Sequence, residues 1–66
     1  MRLTINGQDR SRTESCTVAT LVAEIIAAQR GVAVAVNGTV VPRSAWNEVD
    51  LADGDRVEVL TAAQGG

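Results

Sequence analysis

An α+β fold, a mixed sheet of four to five strands packed on one main helix, is predicted by three features of the sequence. Two short apolar segments each run into Asn-Gly, at Asn6-Gly7 and Asn37-Gly38. Such dipeptides suit two-residue hairpin turns because both residues tolerate positive φ. A single stretch beginning at Val18 carries apolar residues at helical spacing, and a final alternating stretch, Arg56 to Leu60, reads as a strand.

Taken in order, Leu3 and Ile5 alternate with Arg2 and Thr4, a period-two strand signal that ends at the Asn6-Gly7 turn. Gln8 to Ser15 is polar on both faces and reads as a solvent-facing return strand at a sheet edge. Thr17 is a suitable N-cap, since its hydroxyl can accept from a first-turn N–H. Val18, Leu21, Val22 and Ile25 then share one helical face, widened by Ile26, and Ala19, Ala23, Ala27 and Ala28 favour helix. Gly31 stands where a left-handed cap is expected, so the helix is predicted over Val18 to Arg30.

Val32 to Val36 is a small-apolar run consistent with a buried strand. After Asn37-Gly38, Thr39-Val40-Val41 forms a short strand that Pro42 stops, and Ser44-Ala45-Trp46 suits a brief helical turn. Asp53-Gly54-Asp55 marks a tight turn before the last strand. The domain is thus predicted over residues 1–60, with 61–66 a flexible tail ending in Gly65-Gly66. If the helix crosses one sheet face and the first and last strands lie side by side in parallel, the topology is a β-grasp, one of a few that the pattern admits.

Composition excludes several function classes. The 66 residues include no histidine, no lysine and one cysteine, Cys16. A Ser-His-Asp or Cys-His constellation, a closed structural zinc site and a lysine-bearing phosphate loop are therefore all impossible. The chain is expected not to be an enzyme and to bind neither metal nor cofactor. Six arginines against eight carboxylates give a net charge of −2 with no basic run, which argues against nucleic acid and for a basic patch on a protein partner. The apolar runs are too short to span a bilayer, and the start Met1-Arg2-Leu3-Thr4-Ile5 lacks a signal-peptide core. No membrane association is expected, and a cytoplasmic location fits the lone cysteine.

Gly65-Gly66 gives the tail its chemistry. Without Cβ atoms it is thin and permissive, and a carboxylate at Gly66 is unhindered. Six residues from Thr61 reach ~20 Å when extended, enough to thread the tip into a partner's site while the body stays outside. Together with Leu3-Thr4-Ile5-Asn6-Gly7, Thr17-Val18-Ala19-Thr20-Leu21, Val34-Ala35-Val36-Asn37-Gly38, Val41-Pro42-Arg43-Ser44-Ala45-Trp46 and Asp53-Gly54-Asp55, these glycines resemble the ThiS family, the sulfur carriers of thiamine biosynthesis. The tail differs in Thr61-Ala62-Ala63-Gln64, where the family often has bulkier residues.

The resemblance implies a ubiquitin-like β-grasp and a thiocarboxylate formed at Gly66, with Gly65 and Gly66 recognised as the tail. It implies a ThiF-type adenylyltransferase that uses ATP and Mg²⁺, a sulfur donor such as a cysteine desulfurase, and a ThiG-type thiazole synthase as acceptor. A molybdopterin-type carrier, a ubiquitin-like binding module and a protein modifier are the alternatives. If Val34, Val36, Val57 and Val59 face the helix, then Ala33, Ala35 and Leu60 face outward beside the tail and form a candidate docking surface.

The remaining conspicuous residues read as structural. Trp46, the sole aromatic residue, is a core anchor with its indole N–H expected near the surface. Cys16 is a small buried or half-buried spacer, Asp53 and Asp55 are turn residues, and Arg43 is a surface cation.

Overall fold

The structure, a computed structural model, describes residues 1–26 and 31–61. Strands β1 (Arg2–Ile5) and β2 (Gln8–Ser11) form the first hairpin, followed by helix α1 (Val18–Ile25). Strands β3 (Val32–Val36) and β4 (Thr39–Val41) form the second hairpin, a 3₁₀ turn covers Arg43–Ala45, and β5 (Arg56–Thr61) ends the described chain. One sheet holds all five strands in the order β2-β1-β5-β3-β4. Its central strand, β5, pairs in parallel with β1, with Thr4 opposite Arg56 and Ile5 opposite Val57. The other pairings are antiparallel. One helix on a mixed sheet with a parallel β1–β5 pair is the β-grasp arrangement.

The hairpin turns form as their residues dictate. Asn6 and Gly7 have φ of 50° and 82°, and Asn37 and Gly38 have 51° and 84°. Positive φ at both central residues matches the turn to the twist of its flanking strands. The edge strand β2 is shorter than its polar run. It ends at Ser11, opposite Arg2, with Met1 and Arg12 exchanging two further bonds. Nothing apolar in residues 12–15 holds them to the sheet.

Helix α1 starts at the expected cap, where Thr20 N–H donates to Thr17 Oγ1 at 3.2 Å. Val18 and Ala19 N–H groups donate to the carbonyls of Val49 and Trp46, so first-turn donors that lack helical partners are satisfied by the 46–51 segment. Val18, Leu21 and Val22 are buried against the sheet. The helix stops earlier than the expected Arg30. Ile26 is extended at φ −133° and ψ 121°, which turns its side chain back onto the core. Ile25, expected on the buried stripe, is 37% exposed, since Ile26 occupies the core position at that end. Residues 27–30 lie outside the described part, and Gly31 enters β3 at φ 66°.

Leu3, Ile5, Val34, Val41, Val57 and Val59 close the core from the sheet side, with Trp46, Leu51 and Cys16 filling its flank. Trp46 is 3% exposed, and its indole N–H is not near the surface but buried, donating to the Val41 carbonyl at 3.0 Å. A large apolar body with a polar tip is retained inside only when that tip finds an acceptor. The guanidinium of Arg43 lies 5.4 Å over the centre of the Trp46 ring, covering it from outside.

Candidate functional site

The sheet has one face covered by α1 and one open. Alternation along β5 sends Val57 and Val59 inward and Arg56, Glu58 and Leu60 outward. The β3–β5 register sets Ala33 beside Leu60 and Ala35 beside Glu58, and the β3–β4 register sets Val40 on the other side of Ala35. Ala33, Ala35, Val40, Glu58 and Leu60 thus line one shallow, mainly apolar depression. Val40 and Leu60 are 71% and 66% exposed.

The three docking residues expected from the sequence, Ala33, Ala35 and Leu60, are therefore brought together on this face. Val40 joins them, a residue outside the set expected from the sequence. Its signal was present in the alternation of Thr39-Val40-Val41: with Val41 buried, Val40 must point the other way. The opposite end of the same face, across β1 and β2, is polar, and there the Thr4 hydroxyl bonds the Asp9 carboxylate at 3.2 Å. The apolar part lies at the end of the sheet where β5 reaches Thr61.

Strand β5 is the element that carries the chain toward its C-terminus, and it is central in the sheet. Its pairing with β3 extends to Val32–Thr61, one residue further than the expected domain boundary. Gly65 and Gly66, the expected reactive tail, lie outside the described residues.

The turn before β5 is built by the two aspartates read as turn residues. Asp53 Oδ1 accepts from Arg2 N–H at 2.6 Å, and Asp55 Oδ2 accepts from Ala52 N–H at 2.8 Å. Among the described residues no three His, Cys, Asp or Glu side chains converge as metal ligands, and no helix is long and apolar enough to cross a membrane. Shifted titration occurs away from the open sheet face. Glu24 on α1 is held below the usual carboxylate range by the hydrogen bonds it accepts from Arg12, and the same contact raises Arg12. What the apolar depression can do is present shape and the Glu58 carboxylate to another protein.

Comparison with known proteins agrees with this geometry. The sequence profile of the ThiS family matches residues 3–66. The crystal structure of a thiamine biosynthesis protein (ThiS) from Geobacter metallireducens is 38% identical and superposes with a TM-score of 0.82, covering 92% of this chain and 93% of that one. An NMR solution structure of a thiamine biosynthesis protein from Geobacter metallireducens is also 38% identical, with a TM-score of 0.78 over 91% of this chain and 81% of that one. A thiazole synthase of Paramagnetospirillum magneticum is 39% identical over all 66 residues, which span 20% of its length.

Proposed function

We propose a function that proceeds from one premise: the chain belongs to the ThiS family. It is a sulfur carrier for thiazole formation in thiamine biosynthesis, with a ubiquitin-like β-grasp body. The observation that carries this reading is the match of the family from residue 3 through Gly65-Gly66, over a fold whose central strand leads toward those glycines. The likeness to proteins of thiamine biosynthesis favours the thiazole pathway over a pterin one.

The group that reacts is the carboxylate of Gly66. A carboxylate is a poor electrophile, so a ThiF-type adenylyltransferase first joins it to AMP, using ATP and Mg²⁺ and releasing pyrophosphate. That partner supplies the charge stabilisation for the transfer. The terminal sulfur of a persulfide, such as one on a cysteine desulfurase, then attacks the acyl carbon and AMP leaves. Cleavage of the resulting S–S bond by a thiol leaves the thiocarboxylate. A ThiG-type thiazole synthase accepts that sulfur, a reading supported by the likeness of the whole chain to part of a thiazole synthase. The chain itself acts as carried substrate, not as catalyst, and works in the cytoplasm.

The open face has the role of docking. Ala33, Ala35, Val40 and Leu60 seat against an apolar surface of the activating enzyme, with Glu58 directed at a cation there. Gly65 and Gly66 are the residues that the narrow channel of the partner admits.

Incubation with a ThiF-type enzyme, ATP, Mg²⁺ and a sulfur source tests this. Mass spectrometry should show one oxygen replaced by sulfur, located in the C-terminal peptide. Deleting Gly66, or adding a residue after it, should abolish the change while the unfolding midpoint stays at the wild-type value, as tips of tails contribute little to stability. A mass gain that persists without Gly66 refutes the assignment.

A further inference from the structure

We propose that Asn6 is a positioning residue for sulfur loading: its side-chain amide replaces a missing peptide group of β1 and fixes β5 where the chain leaves for the tail. This rests on the carrier reading above.

The parallel register of β1 and β5 sets Thr4 against Arg56 and Ile5 against Val57. Continued by two residues, it would bring a β1 peptide against Val59. The chain does not continue, because Asn6 and Gly7 turn away into β2 with positive φ. Asn6 N–H still donates to the Val57 carbonyl at 2.9 Å. Beyond that point the side chain takes over. Asn6 Oδ1 accepts from Val59 N–H at 2.8 Å, and Asn6 Nδ2 donates to the Val59 carbonyl at 3.1 Å. A primary amide carries the same acceptor and donor as a peptide group, so one side chain satisfies both backbone groups that the turn would strand.

These demands select asparagine. Glycine tolerates the positive φ but has no amide. Aspartate offers the acceptor but sets a second oxygen against the Val59 carbonyl. The Asn6-Gly7 pair therefore encodes more than a turn.

The location of the clamp gives it consequence. On the β3 side, β5 is paired out to Thr61. On the β1 side, among the described residues, the bonds to β5 end at Val59. Without Asn6 the end of β5 is held along one edge only. Leu60, which belongs to the docking face, and Thr61 lie directly after the clamp. A displacement there moves the root from which residues 62–66, with a reach of at most ~17 Å, must deliver the tip to the partner's site. Docking can then remain intact while the reacting carbon misses its target.

The molecule contains its own control. Asn37 has the same turn geometry at φ 51°, and its Oδ1 accepts from Arg56 N–H at 2.9 Å while its Nδ2 donates to Asp55 Oδ1 at 3.0 Å. It clamps the start of β5 as Asn6 clamps its end.

The test compares Asn6→Gly with Asn37→Gly, both of which keep the positive φ. Amide exchange at Val59, relaxation at Leu60 and Thr61, thermal midpoints, and steady-state adenylation by a ThiF-type enzyme are measured on each. Both variants should lose stability. Only Asn6→Gly should speed Val59 exchange beyond what the loss of global stability accounts for, and it alone should lower kcat by about tenfold, the cost of a misplaced reacting group. Its KM should stay within about threefold of wild type, because docking is retained. Unchanged kcat in Asn6→Gly, or an equal loss in Asn37→Gly, overturns the positioning role. Absence of adenylation in the wild type overturns the carrier reading instead, and the positioning role with it.

Discussion

Within β5, Val57 and Val59 are 1% and 5% exposed, whereas Leu60, one residue further, is 66% exposed. The two faces of one strand thus hold apolar residues for opposite purposes. The inner set meets α1, Trp46 and Leu51 and releases water on folding. The outer set, with Ala33, Ala35 and Val40, stays open to water and is the surface proposed above for docking. Since side-chain direction alternates with each residue, stability and recognition can be written into the same six positions with little interference. The contrast also explains how a domain of 66 residues, burying only ~60% of its unfolded surface, can keep apolar groups outside. They lie together at the end of the sheet where β5 reaches Thr61.

The largest effect should come from breaking the inner side. Trp46→Ala removes the sole aromatic residue, opens a cavity and deletes the indole hydrogen bond to the Val41 carbonyl, and should destabilise by about 3 kcal/mol or more. Chemical denaturation measures it, and an unchanged midpoint would place Trp46 outside the energetic core. On the outer side the pattern should invert. Val40→Asp with Leu60→Asp should leave stability within about 0.5 kcal/mol of wild type, as exposed sites usually do. Affinity for the activating enzyme should fall by more than tenfold, on the order of a hot-spot loss. Titration calorimetry decides this, and wild-type affinity in the double variant would remove the docking role.

The smallest effect belongs to the Arg12–Glu24 pair, which touches neither face of β5. Because folding depresses the Glu24 carboxyl, its contribution is present above the unfolded carboxylate value and is lost as pH falls through the lower folded value. Raised Arg12 would lose its share only in strong alkali. Melting Glu24→Gln and wild type in a pH series should therefore show a slight gap at neutral pH that closes in acid and shrinks with salt. A gap that widens on acidification would contradict the sign.

Much of the fold was legible because its signals are local. Positive φ at Asn-Gly, the Thr17 cap and the alternation of Leu3, Ile5, Val57 and Val59 depend on neighbours a few residues away. The outward placement of Ala33, Ala35 and Leu60 followed from the same alternation, whereas Val40 sits in a three-residue strand too short for its alternation to stand out beside Pro42. Less legible were the ends of elements. Ser11 ends β2 because residues 12–15 carry no apolar side chain to hold them to the sheet, and Ile25 ends α1 because Ile26 is drawn into the core.

By itself the sequence determined the element order, the inward set of residues apart from Ile25, the absence of histidine and lysine chemistry, and the ThiS-family pattern ending in Gly65-Gly66. Tertiary structure alone decided that Trp46 hides its N–H against Val41 and that the Asp53–Asp55 turn receives Arg2. It also decided that Asn6 completes the sheet beside Val59, 53 residues away. The reason is physical. Periodicity and turn propensity are properties of adjacent residues, whereas a hydrogen-bond partner for a side-chain amide is chosen by whichever backbone the fold brings within reach.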